Sequence, residues 1–152
     1  MTKLPVLVGE FNPHSLRIRD ALAPRPPGCA GWRLARMMGM NSAEYLAAFD
    51  RRNLLASATW SAPAARDAAA DLEAEFPDRD LILLGAKVAA AFGLAGRTWE
   101  RVRRPGPVPA HFLVLPHPSG RCRAWNEPHS GRLLIRLIAP YLPGGRSARS
   151  DS

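Results

Sequence analysis

"DLILLGAKVAAAFGL" (residues 80–94) decides the fold. Leu81 to Leu84 form an unbroken apolar run with no polar alternation, so a strand there is expected to be covered by protein on both faces. "KVAAAFGL" (87–94) follows at once and reads as a helix closed by Gly93. A buried strand feeding directly into a helix is the repeating unit of a parallel sheet.

The same grammar extends in both directions. "LPVLVGE" (4–10) reads as the first strand, and "NPHSLRIRDALAPRPPGC" (12–29) as a long irregular loop rich in proline and arginine. "GWRLARMMGM" (31–40) places Leu34, Met37 and Met38 at helical spacing, with Gly39 as the stop. "NSAEYLAAFD" (41–50) is a second helix, capped by Asn41 or Ser42. A short strand is expected around Asn53 to Ala56. "SAPAARDAAADLEAEFP" (61–77) is the clearest helix, with Ser61 as cap and Pro63 in its first turn. Residues 95–110 read as a basic loop, "HFLVLPH" (111–117) as the last core strand and "SGRLLIRLIAPYL" (130–142) as the last helix. The expected architecture is a three-layer α/β/α sandwich around a four-stranded parallel sheet. One domain spans 1–143, and residues 144–152 are expected to be a disordered tail.

The chain has 152 residues, enough for one domain that buries about two-thirds of its unfolded surface. Lysine and arginine number 21 against 13 acidic residues, for a net charge of +8. That excess points to a polyanionic partner. No apolar run approaches the ~20 residues of a membrane span. The apolar part of the N-terminus is too short for a secretory signal, so the expected location is the cytoplasm. Two cysteines, Cys29 and Cys122, make neither a disulfide framework nor a four-cysteine metal or iron–sulfur site. The four histidines show no metal-ligand spacing; no metal and no cofactor are expected, and the chain is expected to act as a monomer.

Ligands of parallel sheets bind beyond the carboxyl ends of the strands. "GEFNP" (9–13), "NLLAS" (53–57) and "HPSG" (117–120) all fall at such ends and are expected to converge on one crevice. Glycine-rich phosphate loops and a G-x-S-x-G nucleophile elbow are absent, which removes the common dinucleotide, P-loop and serine-hydrolase readings. What remains is Glu10 or Asn12 beside the first strand, Asn53 beside the second, and His117 with Ser119 beside the last. A histidine donor stabilises an anion developing on a leaving group. An asparagine amide presents the donor and acceptor needed to read a nucleobase edge. Arg121, Arg123 and Trp125 suit a loop that touches a nucleic-acid backbone or stacks on a base. Asn126 either ends that loop in an Asx turn or joins the contact.

In "VLVGEFNP" (6–13), "GCAGWRLARMMGM" (28–40), "RRNLL" (51–55), "LILLGAKVAAAFG" (81–93) and "VLPHPSG" (114–120), the chain resembles the uracil-DNA glycosylase superfamily, nearest to its small bacterial, archaeal and phage-type members. The resemblance implies hydrolysis of the N-glycosidic bond of uracil or a related pyrimidine flipped out of DNA. It implies that His117 donates to the base O2 and Asn53 reads the base edge. Ser119 would hold a phosphate, with Gly120, Arg121, Arg123 and Asn126 along the DNA. Gly9, Phe11 and Pro13 would line the substrate site. Gly9-Glu10 resembles the Gly-Glu of cluster-bearing members, whereas Asn12-Pro13 resembles the Asn-Pro of mismatch-specific members. Glu10 and Asn12 are therefore both candidates for placing the attacking water, with Asn12 preferred. Phe11 or Trp32 would be the stacking platform. Two other functions fit the same residues: a non-catalytic reader of DNA or a modified base, and an enzyme acting on free nucleotides. The broad positive charge disfavours the last.

Overall fold

The computed structural model describes residues 3–11, 17–56, 59–107, 109–119 and 122–142. Its central element is β3 (Asp80–Leu84), in the middle of a five-stranded sheet ordered β2-β1-β3-β5-β4. The other strands are β1 (Val6–Gly9), β2 (Asp50–Asn53), β4 (Arg101–Arg104) and β5 (Ala110–Leu115). β1 pairs in parallel with β2 and β3, and β3 with β5.

The continuous apolar runs divide between two cores. Val6, Val8, Leu81, Leu83, Phe112 and Val114 face α3 (Ala62–Glu75) and α4 (Ala86–Ala91), meeting Ala65, Ala69, Leu72 and Val88. Leu7, Ile82, Leu84, Leu113 and Leu115 face the opposite way, towards α1 (Ala30–Met37), α2 (Ser42–Ala48) and α5 (Ser130–Ile138). Each fully buried Leu or Ile contributes about 2 kcal/mol. Burial on both faces is why these strands show no polar alternation.

The four-stranded, all-parallel sheet needs correction. "RVRR" (101–104), read from sequence as loop, is β4, an antiparallel edge strand on β5 with Val102 opposite Phe112. Its three arginines hide the period-two pattern. Arg101 and Arg103 are exposed, while Val102 and Arg104 are half-buried. The Arg104 guanidinium lies 4.8 Å from the Phe112 ring centre and donates to Glu73 at 2.7 Å, so a charged residue serves as a half-buried sheet residue. The second strand also begins earlier than expected, at Asp50 rather than Asn53. Register carries it: Asp50 to Asn53 pair one for one with Val6 to Gly9.

Local signals set the helix starts. Asn41, not Ser42, caps α2 in a reciprocal box: its Oδ1 accepts from the Glu44 N–H at 2.8 Å, and Glu44 Oε1 accepts from the Asn41 N–H at 3.0 Å. Ser61 accepts from the Ala64 N–H to start α3.

The described part of the proline- and arginine-rich loop is tied down from outside. Tyr45 Oη donates to the Leu22 carbonyl at 2.8 Å, and the Arg51 guanidinium donates to the carbonyls of Ala21 (2.9 Å) and Arg19 (3.2 Å). This backbone crosses the start of α1 so closely that a Cβ on Gly31 would stand 2.2 Å from the Leu22 oxygen. Only glycine fits at 31.

Candidate active site

Parallel register brings the ends of β1, β2, β3 and β5 to one edge. Gly9 is the register partner of Asn53, and the pairing runs past the strands through Leu54 N–H to the Gly9 carbonyl and Leu55 N–H to the Glu10 carbonyl, both 2.9 Å. Glu10 is thereby held at the edge. On the other side, the Gly85 N–H donates to the Leu115 carbonyl at 2.8 Å, holding the turn after β3 against the end of β5.

His117 follows two residues later, between the buried Pro116 and Pro118. Each proline fixes its own φ and restricts the residue before it, so the histidine is presented on a stiff backbone. The Trp125 indole N–H donates to the His117 carbonyl at 2.8 Å, and Trp125 packs edge-on against Trp99 at 5.1 Å. Trp125, expected to face nucleic acid, thus has its N–H committed to the histidine's backbone.

Here two of the expected site residues meet. His117 Nε2 stands 3.6 Å from Glu10 Oε2, with the side chains 34% and 17% exposed, so both remain open to a ligand. Gly85 makes the approach possible. A Cβ there would lie 3.2 Å from His117 Cβ and 3.7 Å from Glu10 Oε2. Its φ of 105° and ψ of 158° belong to a region open essentially to glycine alone. Sequence reading passed over Gly85, although a glycine between a buried strand and a helix was the available signal.

Asn53 is the third member of the edge. Its Oδ1 is buried and has no hydrogen-bond partner among the described residues. Leaving such an oxygen unpaired costs about 1–3 kcal/mol. The same atom lies 2.8 Å from where a Gly9 Cβ would be, and the Leu22 methyls come within 3.1 and 3.3 Å of that point. Asn53 and Leu22 therefore both close on Gly9, directly before Glu10 of the Glu10–His117 pair. A leucine in a proline-rich loop carries no sequence signal of that role.

The other expected residues are distributed differently. Phe11 is half-buried directly after Glu10. Asn12, Pro13, Gly120 and Arg121 lie outside the described residues. Ser119 lines a separate open pocket of about 180 Å³ with Trp32, Arg33, Arg36, Pro118 and Trp125. Arg123 and Asn126 are exposed on the 3-10 turn Arg123–Asn126. In the basic segment 101–104, Arg101 donates to the carbonyls of Arg136 and Leu137, and Arg104 to Glu73.

Among the described residues, no three His, Cys, Asp or Glu side chains cluster where they could hold a metal ion. Nor is any described helix long and apolar enough to cross a membrane. The chain matches no model of a known protein family, and no curated protein matches its sequence.

Proposed function

We propose that the chain is a DNA glycosylase that hydrolyses the N-glycosidic bond of uracil or a related modified pyrimidine, acting without a metal or cofactor. The observation that carries this reading is the Glu10–His117 pair at the carboxyl edge of the sheet, with the unpaired Asn53 acceptor beside it. The four parallel strands, with helices on both faces, accord with the three-layer sandwich that the sequence resemblance implies.

The chemistry divides between the two side chains. As the bond from the sugar's anomeric carbon to the base nitrogen breaks, its electron pair leaves with the base. Negative charge then gathers on the base O2, while the sugar becomes oxocarbenium-like. His117 donates a hydrogen bond to O2 where that charge develops, which is transition-state stabilisation. Glu10 faces the sugar, offsets its positive charge and orients the water whose oxygen bonds to the anomeric carbon. The water's proton is released, through the carboxylate or to the departing base, leaving an abasic sugar and the free base. The sugar carbon and O2 are close together on a pyrimidine nucleoside, so groups 3.6 Å apart serve both. In this reading Glu10 takes the role at the water, because its carboxylate stands beside His117. The Asn53 amide carries the acceptor that suits the N3–H of a uracil edge and the N–H that suits the neighbouring carbonyl. Its Oδ1 is buried, so the side chain must turn outward to present the acceptor to a bound base.

The test is single-turnover excision from labelled oligonucleotides carrying several modified pyrimidines, followed by alkaline cleavage, alongside equilibrium binding. His117→Ala is expected to slow base release by about 10²–10³ with DNA affinity little changed. Asn53→Ala is expected to alter which base is accepted as well as the rate. If the wild type binds DNA yet releases no base from any substrate, and His117→Ala abolishes binding, the protein is a non-catalytic reader.

A further inference from the structure

The pocket beside Ser119 lies outside the Glu10–His117 pair but shares a wall with it. Pro118 and Ser119 directly follow His117, and the lining residue Trp125 donates to the His117 carbonyl. Its volume of about 180 Å³ is below the ~300–1,000 Å³ of pockets for drug-sized ligands, but it admits one flat ring. Its walls combine two kinds of chemistry. Trp32 on α1 is a half-buried indole, and the Arg36 guanidinium sits 4.7 Å from its ring centre. Arg33 is steadied by a hydrogen bond from Nε to the Gly28 carbonyl at 3.0 Å, which uses one of its five donors. No carboxylate lines the pocket, and neither arginine is paired with one among the described residues. Two guanidiniums, a hydroxyl and an indole face together suit a phosphate joined to an aromatic base.

We propose that this pocket is a second nucleotide subsite on the same DNA strand. It takes a nucleotide neighbouring the target: its base stacks on Trp32 in place of the Arg36 guanidinium, which turns to the phosphate beside Arg33 and Ser119. The proposal rests on the glycosylase reading for the direction of the strand, but its binding chemistry stands apart from base release. Because a stacking face accepts every base, the subsite is expected to bind without sequence preference.

The test uses a short single-stranded oligothymidylate, which carries no uracil, with binding followed by fluorescence anisotropy of a labelled end. Trp32→Leu is expected to weaken binding about tenfold, while Trp32→Phe retains most of it because a ring remains. Arg36→Gln, at an exposed position, is expected to lower the salt slope by about one. Arg66→Gln, on the exposed face of α3, serves as the control and is expected to bind as the wild type does. Circular dichroism confirms that each variant is folded. Unchanged binding by folded Trp32→Leu and Arg36→Gln, or equal losses in Arg66→Gln, would overturn the subsite. Excision that persists alongside such a result would leave the glycosylase reading intact. Binding lost as expected, in a protein that excises nothing, would leave the subsite and remove the glycosylase.

Discussion

Glu10 Oε2 and His117 Nε2 stand 3.6 Å apart over the backbone of Gly85, whose missing side chain lets a residue from the first strand meet one from the last. The pair couples two segments 107 positions apart in the chain (117 − 10). Neither residue contributes to the buried core, so substitutions at either are expected to alter chemistry before stability.

Glu10→Gln keeps the shape of the side chain and removes its charge. Base release is expected to slow by about 10²–10⁴, the range for a group that handles a proton or orients water in the transition state. DNA affinity is expected to hold or rise slightly, because a carboxylate near phosphates is repulsive. Single-turnover excision with parallel binding measurements checks this, and an unchanged rate would remove Glu10 from the mechanism.

Gly85→Ala places a methyl group against His117 and forces alanine into a glycine conformation. The expected loss is about 1–3 kcal/mol of stability, read from urea unfolding, together with slower base release. An alanine variant of wild-type stability would show that the turn relaxes freely.

Gly31→Ala brings a Cβ to 2.2 Å from the Leu22 carbonyl oxygen and 2.4 Å from that of Ala23. Both opposing atoms are backbone, so no side-chain rotation relieves the clash. Overpacking of this kind costs about 1–3 kcal/mol. Because Leu22 also closes on Gly9, the register partner of Asn53, discrimination between bases is expected to weaken with stability. A variant with loosened stability and untouched discrimination would separate the loop from recognition.

Tyr45 links pH to the same loop. Burial raises its phenol pKa above the ordinary 10.0, against the lowering influence of Arg51. Unfolded chains lose that proton near pH 10 while the folded protein keeps it, so the unfolded state binds fewer protons there. Stability is therefore full below pH 10.0 and falls as pH rises above it. Tyr45→Phe is expected to lose about 1 kcal/mol at neutral pH with the hydrogen bond to Leu22, and to show a shallower alkaline decline. Urea midpoints at pH 7 and above 10 measure both effects; an identical alkaline slope in the variant would assign the decline to another group.

Arg123 and Arg104 are expected to separate binding from folding. Arg123→Gln removes an exposed cation and is expected to lower the salt slope of DNA binding by about one. Arg104→Gln gives up the Glu73 contact and the Phe112 stack, with a stability loss on the order of 1 kcal/mol and little change in binding. Salt titrations and thermal melts of both variants test the contrast, which a reversed pattern would contradict.

The sequence by itself determined the parallel core. Leu81 to Leu84 and Phe112 to Leu115 lack polar alternation because both of their faces are covered, and that requirement is written into every position of the run. It also determined where the candidate residues Glu10, Asn53 and His117 collect, since the ends of parallel strands share an edge whatever the loops do. Tertiary structure alone decided the rest. β4 becomes a strand because β5 offers it a free edge and Phe112 and Glu73 accept Arg104, a compensation invisible in "RVRR". Glu10 faces His117 because parallel register aligns the two strand ends and Gly85 adds no bulk between them. Leu22 closes on Gly9, the register partner of Asn53, because Tyr45 and Arg51 hold the loop backbone from α2 and β2. Periodicity records which face of an element is buried; it contains nothing about which distant side chain waits on the other side of the contact.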